Sequence, residues 1–113
     1  MSTPPTAQER LRALHAETEE RRRALRAALA GIVETASASS GDDEHDPEGQ
    51  TVAYDRAQTQ ALLEGANHDL EEIERALERV AAGTYGVCEV CGQPIAAERL
   101  EARPAARRCI RHA

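Results

Sequence analysis

The stretches Cys88-Glu89-Val90-Cys91 and Cys109-Ile110-Arg111-His112 hold all three cysteines of the chain, and they decide the fold of its C-terminal part. Two residues separate the outer members of each stretch, and seventeen residues lie between the stretches. Two intervening residues let a pair of side chains converge on one ion from a tight turn, and a loop of this length can bring a second pair back to complete a tetrahedron. Thiolates and imidazole at such spacing suit zinc best. The pattern predicts one structural zinc ion with the ligands Cys88, Cys91, Cys109 and His112.

Two other interpretations of this pattern stay open at the level of sequence. The cysteines could be buried or free thiols beside an incidental histidine. Alternatively, His112 could fail to bind, because it is next to the last residue of the sequence and chain ends fray. Three ligands would then leave a position for water, as in an enzyme, with Glu89 or Glu98 as the base. Four ligands would close the site, and no pocket-forming domain is visible, so a non-enzymatic protein is expected.

The charge of the chain is unevenly distributed. The formal net charge of the 113 residues is −6. Residues 1–83 carry nine arginines against seventeen acidic residues, whereas residues 84–113 carry five against three. An acidic long segment argues against direct DNA binding, because non-specific DNA binding rests on neutralising phosphates. No apolar run approaches the length of a transmembrane helix, so no membrane association is expected, and the odd cysteine count favours the reducing cytoplasm.

Heptad spacing predicts a first long helix over about residues 6–36. The chain has no Phe or Trp and is rich in Ala, Leu, Glu and Arg, a composition typical of long helices with a thin core. Thr6 and Glu9 should form a capping box at the helix start. The seam is the line of positions that faces a partner helix, and here Arg21 fills a gap in it. Its apolar or small residues are Leu11, Leu14, Thr18, Leu25, Ala28, Ile32 and Thr35.

A second helix is predicted to run to about Ala82, with Gly83 as its stop. Strictly alternating steps of four and three define its seam. The seam residues are Val52, Arg56, Thr59, Leu63, Ala66, Leu70, Ile73, Leu77 and Val80. Gly65 inside this helix costs about 1 kcal/mol relative to Ala, and it is either tolerated or marks a bend. A short third helix is predicted within Ala96–Ala102.

These patterns predict an all-α-dominated fold, in which a long antiparallel coiled-coil helical hairpin is followed by a small zinc finger. The expected organisation is a flexible tail at residues 1–5, the hairpin at residues 6–82 and the zinc-finger module at residues 83–113. The hairpin should end in an acidic tip loop at about residues 37–50. Because the hairpin supplies its own packing partner, a monomer is favoured, although the same heptads could drive dimerisation.

A family resemblance is carried by Gly83-Thr84-Tyr85-Gly86-Val87-Cys88-Glu89-Val90-Cys91-Gly92-Gln93-Pro94-Ile95, by Glu98-Arg99-Leu100-Glu101-Ala102-Arg103-Pro104 and by Cys109. These residues closely resemble the DksA/TraR family of bacterial transcription factors. The resemblance implies a coiled-coil hairpin plus a zinc finger that binds RNA polymerase directly, without binding DNA. It also implies that the hairpin enters the secondary channel and that acidic tip residues act near the active centre. The family usually has Cys at the fourth ligand position, where this chain has His112.

The acidic stretch at residues 42–48 is the candidate tip. The best-known family members carry Asp-x-x-Asp-x-Ala there. Asp43 and Asp46 reproduce both Asp residues at that spacing, and Glu48 stands in the place of Ala. The predicted partner-binding residues are Asp42, Asp43, Glu44, Asp46 and Glu48. A rival frame, which is a second way to align the motif, places Asp55 at the second Asp position and Val52 at the first. Asp55 should lie inside the second helix, however, rather than in the loop.

Two functional alternatives accompany the resemblance. The chain could be an adaptor, monomeric or dimeric, that uses its coiled coil and zinc finger to bind another protein. Some family members also bind the alarmone ppGpp with basic residues on the second helix. This chain has Asp69-Leu70-Glu71-Glu72 there, so ppGpp binding is not expected. His15 and His68 are expected on helix surfaces or in the seam rather than on a metal. A metal site formed by His45 with the loop acids is disfavoured.

Overall fold

Two long helices carry most of the chain in the computed structural model, which describes residues 3–38 and 47–113. Helix α1 spans Ala7–Ala38 and α2 spans Pro47–Ala82, and the short α3 spans Ala97–Ala102. A single 3-10 turn follows at Ile110–His112. The described residues contain no β-strand, only an isolated bridge between Val87 and Pro94. The predicted all-α-dominated fold is confirmed. None of the helices in this part of the chain combines the length and apolarity needed to span a membrane.

The ends of the long helices follow the predicted capping signals. At the start of α1, the Glu9 backbone N–H donates to Thr6 Oγ1 at 3.1 Å, and the Thr6 N–H reaches back to Glu9 Oε1 at 3.5 Å. At the end of α2, the Gly83 N–H donates to the carbonyl of Val80 and the Thr84 N–H to that of Arg79. Gly83 has a φ of 76°, which completes a Schellman motif. The predicted capping box and helix stop are therefore confirmed.

The helices reach further into the predicted tip loop than the sequence indicated. Helix α1 continues to Ala38, and α2 begins at Pro47 rather than after residue 50. Proline suits the first turn of a helix, because an N–H at that position has no partner within the helix. Glu48 thus belongs to α2 rather than to a loop. The loop bounds of 37–50 were too wide. Asp42, Asp43, Glu44, His45 and Asp46 lie outside the described residues.

The contacts within the chain divide it into two compact units. The first unit combines the residues up to Glu17 with Asp69–Ala113, and the second consists of Thr18–His68. The core of the first unit consists of Leu11, Ile73 and Ala76, which are almost completely buried. Partly buried residues packed against this core are Leu14, Leu77, Val80, Tyr85 and Ala105. The beginning of α1 therefore packs beside the end of α2, which makes the helix pair antiparallel, as predicted.

Burial in the second unit corrects part of the α1 seam. Arg21 and Ala28 were predicted to face inward, but both are exposed. Arg22 and Leu29 are half-buried instead, and Arg22 pairs with Glu19 one turn earlier. The inward line then follows residues 18, 22, 25, 29 and 32, whose alternating steps of four and three keep the heptad period, so the correction concerns which residues face inward and not the spacing.

The predicted α2 seam agrees with burial along most of its length. Ala66, Leu70 and Ile73 are buried, and the remaining described seam positions are half-buried except for one. Arg56 is exposed. A long, flexible arginine can leave a seam without opening a cavity, because its charged end is more stable in water.

Candidate metal centre

The first ligand pair lies in a tight turn that glycine makes possible. The Gly92 N–H donates to the Cys88 carbonyl at 2.9 Å, and the Cys88 N–H donates to the Gln93 carbonyl at 2.9 Å. Gly92 has a φ of 73°, a conformation that residues with a Cβ rarely adopt. The Ile95 N–H donates to the Gly86 carbonyl at 2.7 Å, which adds a further backbone hydrogen bond between the segments before and after the turn. This local hairpin holds both thiols of the first pair on one side of the turn.

The second ligand pair is brought together by a short helical turn. Cys109 precedes the 3-10 turn Ile110–His112, and the His112 N–H donates to the Cys109 carbonyl at 3.0 Å. One such turn lets side chains three residues apart project in the same direction. His112 is therefore held beside Cys109 rather than frayed into solvent.

The four predicted ligand side chains converge. Their ligand atoms all lie within 4.8 Å of one another. The sulfurs of Cys91 and Cys109 are 3.8 Å apart, and His112 Nδ1 lies 3.2 Å from Cys109 Sγ and 3.9 Å from Cys88 Sγ. A tetrahedral zinc ion requires edges of about 3.8 Å between sulfurs and about 3.5 Å between sulfur and nitrogen. These three separations lie within about 0.4 Å of those values, and all four donors lie within 4.8 Å of one another, so they can hold a zinc ion, with Nδ1 as the histidine donor.

Mutual contacts shift the acid–base properties of these side chains. The backbone N–H of Cys109 stabilises the Cys88 thiolate and is the main reason that the pKa of Cys88 is lowered to about 6, although burial opposes it. The hydrogen bond between Cys109 and His112 lowers the pKa of Cys109 and raises that of His112. For Cys91, the Gln93 backbone N–H acts to lower the pKa, but burial and the neighbouring thiols outweigh it and the pKa is raised. Thiolate character is thus concentrated on Cys88 and Cys109.

The other candidate donors do not join this cluster. Glu89 binds arginines instead, with Arg108 Nε donating to its Oε1 at 2.9 Å, and Glu98 is exposed on α3. His15 Nε2 lies 3.2 Å from Glu74 Oε1 on α2, and His68 is exposed. A site with four side-chain donors and no carboxylate base among them has the character of a closed structural centre.

Side-chain contacts that the sequence did not reveal fix this module on the long helices. Tyr85 packs against the Leu11 core, and its hydroxyl donates to the Pro104 carbonyl at 2.8 Å. Arg79 of α2 donates through Nη2 to the Ala105 carbonyl at 3.3 Å. The only available sequence signal was that Tyr85 is the sole aromatic residue after α2, since such a ring usually needs a packing surface.

An antiparallel pair of long helices followed by a small module with four convergent zinc-type donors defines a class of helical-hairpin zinc-finger proteins. Residues 83–111 match the family model described as the prokaryotic dksA/traR C4-type zinc finger. A solved structure of transcription factor DksA2 from Pseudomonas aeruginosa is 33% identical in sequence to this chain and superposes with a TM-score of 0.59. The match covers 94% of this chain and 79% of the DksA2 chain. The chain therefore belongs to the DksA/TraR family, and the predicted family assignment is confirmed.

Two curated relatives show how far the similarity extends along the chain. General stress protein 16O of Bacillus subtilis is 44% identical over 77 residues, which are 68% of this chain and 47% of that protein. The RNA polymerase-binding transcription factor DksA of Escherichia coli is 45% identical over 53 residues, which are 42% of this chain and 35% of that protein. The chain spans about half or less of the length of these curated relatives.

Proposed function

We propose that this protein is a transcription regulator that binds RNA polymerase directly. The observation that carries the proposal is its membership of a family in which the Escherichia coli relative is named an RNA polymerase-binding transcription factor. The acidic long segment, with seventeen acids among residues 1–83, supports a protein partner over nucleic acid. RNA polymerase is the partner proposed for this chain.

We further propose that Cys88, Cys91, Cys109 and His112 hold one zinc ion of structural function. The near-tetrahedral separations of their donor atoms support this ligand set. When bound, the ion links the two ligand turns, which have few apolar residues to hold them otherwise. Imidazole is an ordinary zinc ligand, so His112 can take the place that a fourth cysteine occupies in a C4-type finger.

For the mechanism, we propose that the acidic tip enters the secondary channel of the polymerase, with Asp43 and Asp46 as the acting residues. Carboxylates near a magnesium-dependent active centre can approach the ion or pair with its basic neighbours. Glu48 belongs to the first turn of α2. Asp55, the residue of the rival frame, is exposed on α2 one to two turns further from the tip.

The test combines crosslinking with matched substitutions. A photo-crosslinker placed in residues 42–46 should react with channel or active-centre elements of the polymerase. The double variant Asp43→Asn/Asp46→Asn should still bind polymerase but lose most of its effect on transcription, whereas the control Asp55→Asn should keep that effect. Adding ppGpp should leave the affinity for polymerase unchanged, because three of the four residues 69–72 are acidic and would repel phosphates. If polymerase does not bind at micromolar concentrations, the adaptor function replaces this proposal.

A further inference from the structure

An arginine next to the second ligand pair lies between two carboxylates, one on the zinc finger and one on α2. Arg107 Nε is 3.6 Å from Oε1 of Glu89, which lies between the two ligands of the first pair. The same Nε is 3.9 Å from Oε2 of Glu72, on the long helix α2. Arg107 therefore connects the immediate surroundings of the candidate metal centre to a helix that supplies no ligand.

The contacts around Glu89 tie the two ligand turns to each other. Arg108 Nε donates to Glu89 Oε1 at 2.9 Å, and the Glu89 backbone N–H donates to the Arg107 carbonyl at 3.0 Å. Arg99 of α3 donates through Nε to the Arg108 carbonyl at 2.9 Å. These bonds link residues beside Cys88 to residues beside Cys109 without passing through the ligand atoms. They favour the arrangement in which the two turns face each other, and so they stabilise the form of the module that binds the metal.

The carboxylate on α2 is the least exposed member of this group. The side chain of Glu72 has a relative exposure of 16%, against 41% for Arg107 and 43% for Glu89. Glu72 is also held by Arg75 Nη1, 3.2 Å from its Oε1. A carboxylate with so little water around it needs partners, which makes its position well defined. The residues Arg75, Glu72, Arg107, Glu89 and Arg108 form a chain of alternating charges from α2 to the ligand turns.

We propose that Glu72 is a positioning residue of the metal centre, which acts through Arg107 to hold the two ligand turns in their binding arrangement. Groups that orient metal ligands from outside contribute to affinity, because their contacts form when the ligand turns face each other and so add to the stability of the metal-bound form. A side chain on α2 thereby sets how firmly the finger retains its ion. This inference rests on the proposed ligand set, but it does not depend on polymerase binding.

The test measures zinc affinity of the full chain by competition with a chromophoric chelator. Glu72→Gln should weaken zinc binding by roughly three- to tenfold, at or below the lower end of the losses typical of outer-shell groups, because its distance to Arg107 is long. The matched control is Glu71→Gln, which removes the same charge from the adjacent position. Glu71 is exposed, and its side chain makes no ion pair among the residues that the structure describes. Its zinc affinity should equal that of the unmodified chain.

A double-mutant cycle tests whether Glu72 acts on zinc affinity through Arg107. Because Arg107 is the link, Glu72→Gln should have no additional effect in an Arg107→Gln background. Equal zinc affinity of Glu72→Gln and Glu71→Gln would overturn the proposal, as would additive effects of Glu72→Gln and Arg107→Gln. An equal fall in the melting temperature of the zinc-loaded and zinc-free Glu72→Gln chains, with unchanged affinity, would also overturn it and assign Glu72 a purely structural role. Absence of zinc binding by the unmodified chain would instead remove the ligand set, and this inference with it.

Discussion

The four candidate ligands differ in environment although their spacing in the sequence makes them look equivalent. Cys88 is 1% exposed, whereas Cys91 is exposed and Cys109 half-buried. The backbone N–H of Cys109 favours the Cys88 thiolate, and the His112 ring favours the Cys109 thiolate. At Cys88 only the folded backbone creates the difference, because the N–H that favours its thiolate comes from Cys109 in the other ligand turn.

These environments predict how zinc retention depends on pH. Zinc binds thiolates and neutral imidazole, so protons compete with it, and affinity must rise with pH until every ligand is deprotonated. With its pKa lowered to about 6, Cys88 is mostly thiolate at neutral pH, whereas Cys91, whose pKa is raised, still carries its proton there. Zinc binding at pH 7 should therefore release protons, and affinity should fall steeply below about pH 6.

Calorimetry in buffers of different ionisation enthalpy measures the released protons, and chelator competition between pH 5 and 8 measures the affinity. The Cys91→Ser variant should release fewer protons at pH 7 than the unmodified chain. An affinity that stays constant from pH 5 to pH 7 would contradict this prediction and with it the assignment of thiolate ligands.

At the scale of single elements, Gly65 inside α2 and Gly83 directly after it have opposite roles. Gly83 ends the helix with a φ of 76°, while Gly65 lies inside it with nothing within 4 Å of the place where a Cβ would be. The sequence left Gly65 as either a tolerated residue or a bend. Because α2 is continuous from Pro47 to Ala82, a tolerated residue is the better interpretation.

Substituting these glycines by alanine should change stability in opposite directions. Gly83→Ala should lower the free energy of unfolding by about 1–2 kcal/mol, because alanine is strained in a left-handed conformation. Gly65→Ala should raise it by about 0.5–1 kcal/mol, because alanine loses less backbone entropy in a helix. Denaturant unfolding of the zinc-loaded chain measures both. Stabilisation by Gly83→Ala would show that the Schellman motif does not form.

The seams of the long helices show where sequence patterns stop being decisive. Leu11, Ala66, Leu70 and Ile73 were predicted inside and are buried, because apolar residues at helical spacing leave only one face that can pack. Around Arg21 the pattern contains no apolar residue, so either of two adjacent arginines could fill the gap. In the folded helices Arg22 fills this gap, with a half-buried side chain whose guanidinium pairs with Glu19.

For the whole molecule, metal removal should affect its parts unequally. Backbone hydrogen bonds hold the ligand turns together, for example those donated by Cys88, Glu89 and Ile95. The module around these bonds has little apolar core that could keep it folded without the ion. By contrast, α2 buries Ile73 and Ala76 against α1. We expect the zinc-free chain to keep most of its helix content while residues 84–112 lose their order.

Hydrogen exchange with and without a chelator measures this difference. Protection of the Cys88, Glu89 and Ile95 amides should disappear on zinc removal, whereas amides in the middle of α2 should remain protected. The Cys88→Ser variant should behave like the zinc-free chain even when zinc is added. Full thermal stability of a zinc-free preparation would show that the ion is not structural.

The sequence by itself determined the helical class, the helix stop at Gly83, the capping box at Thr6 and the four candidate ligands. These features depend on local spacing and on the conformational preferences of single residues, which act over one or two helical turns. Only the tertiary structure decided which arginine enters the α1 seam and how Tyr85, Arg79 and Glu72 hold the finger on the long helices. Those contacts join residues distant in the sequence, and any of several arginines and carboxylates could have formed them, so the choice depends on which side chains the folded backbone brings within reach.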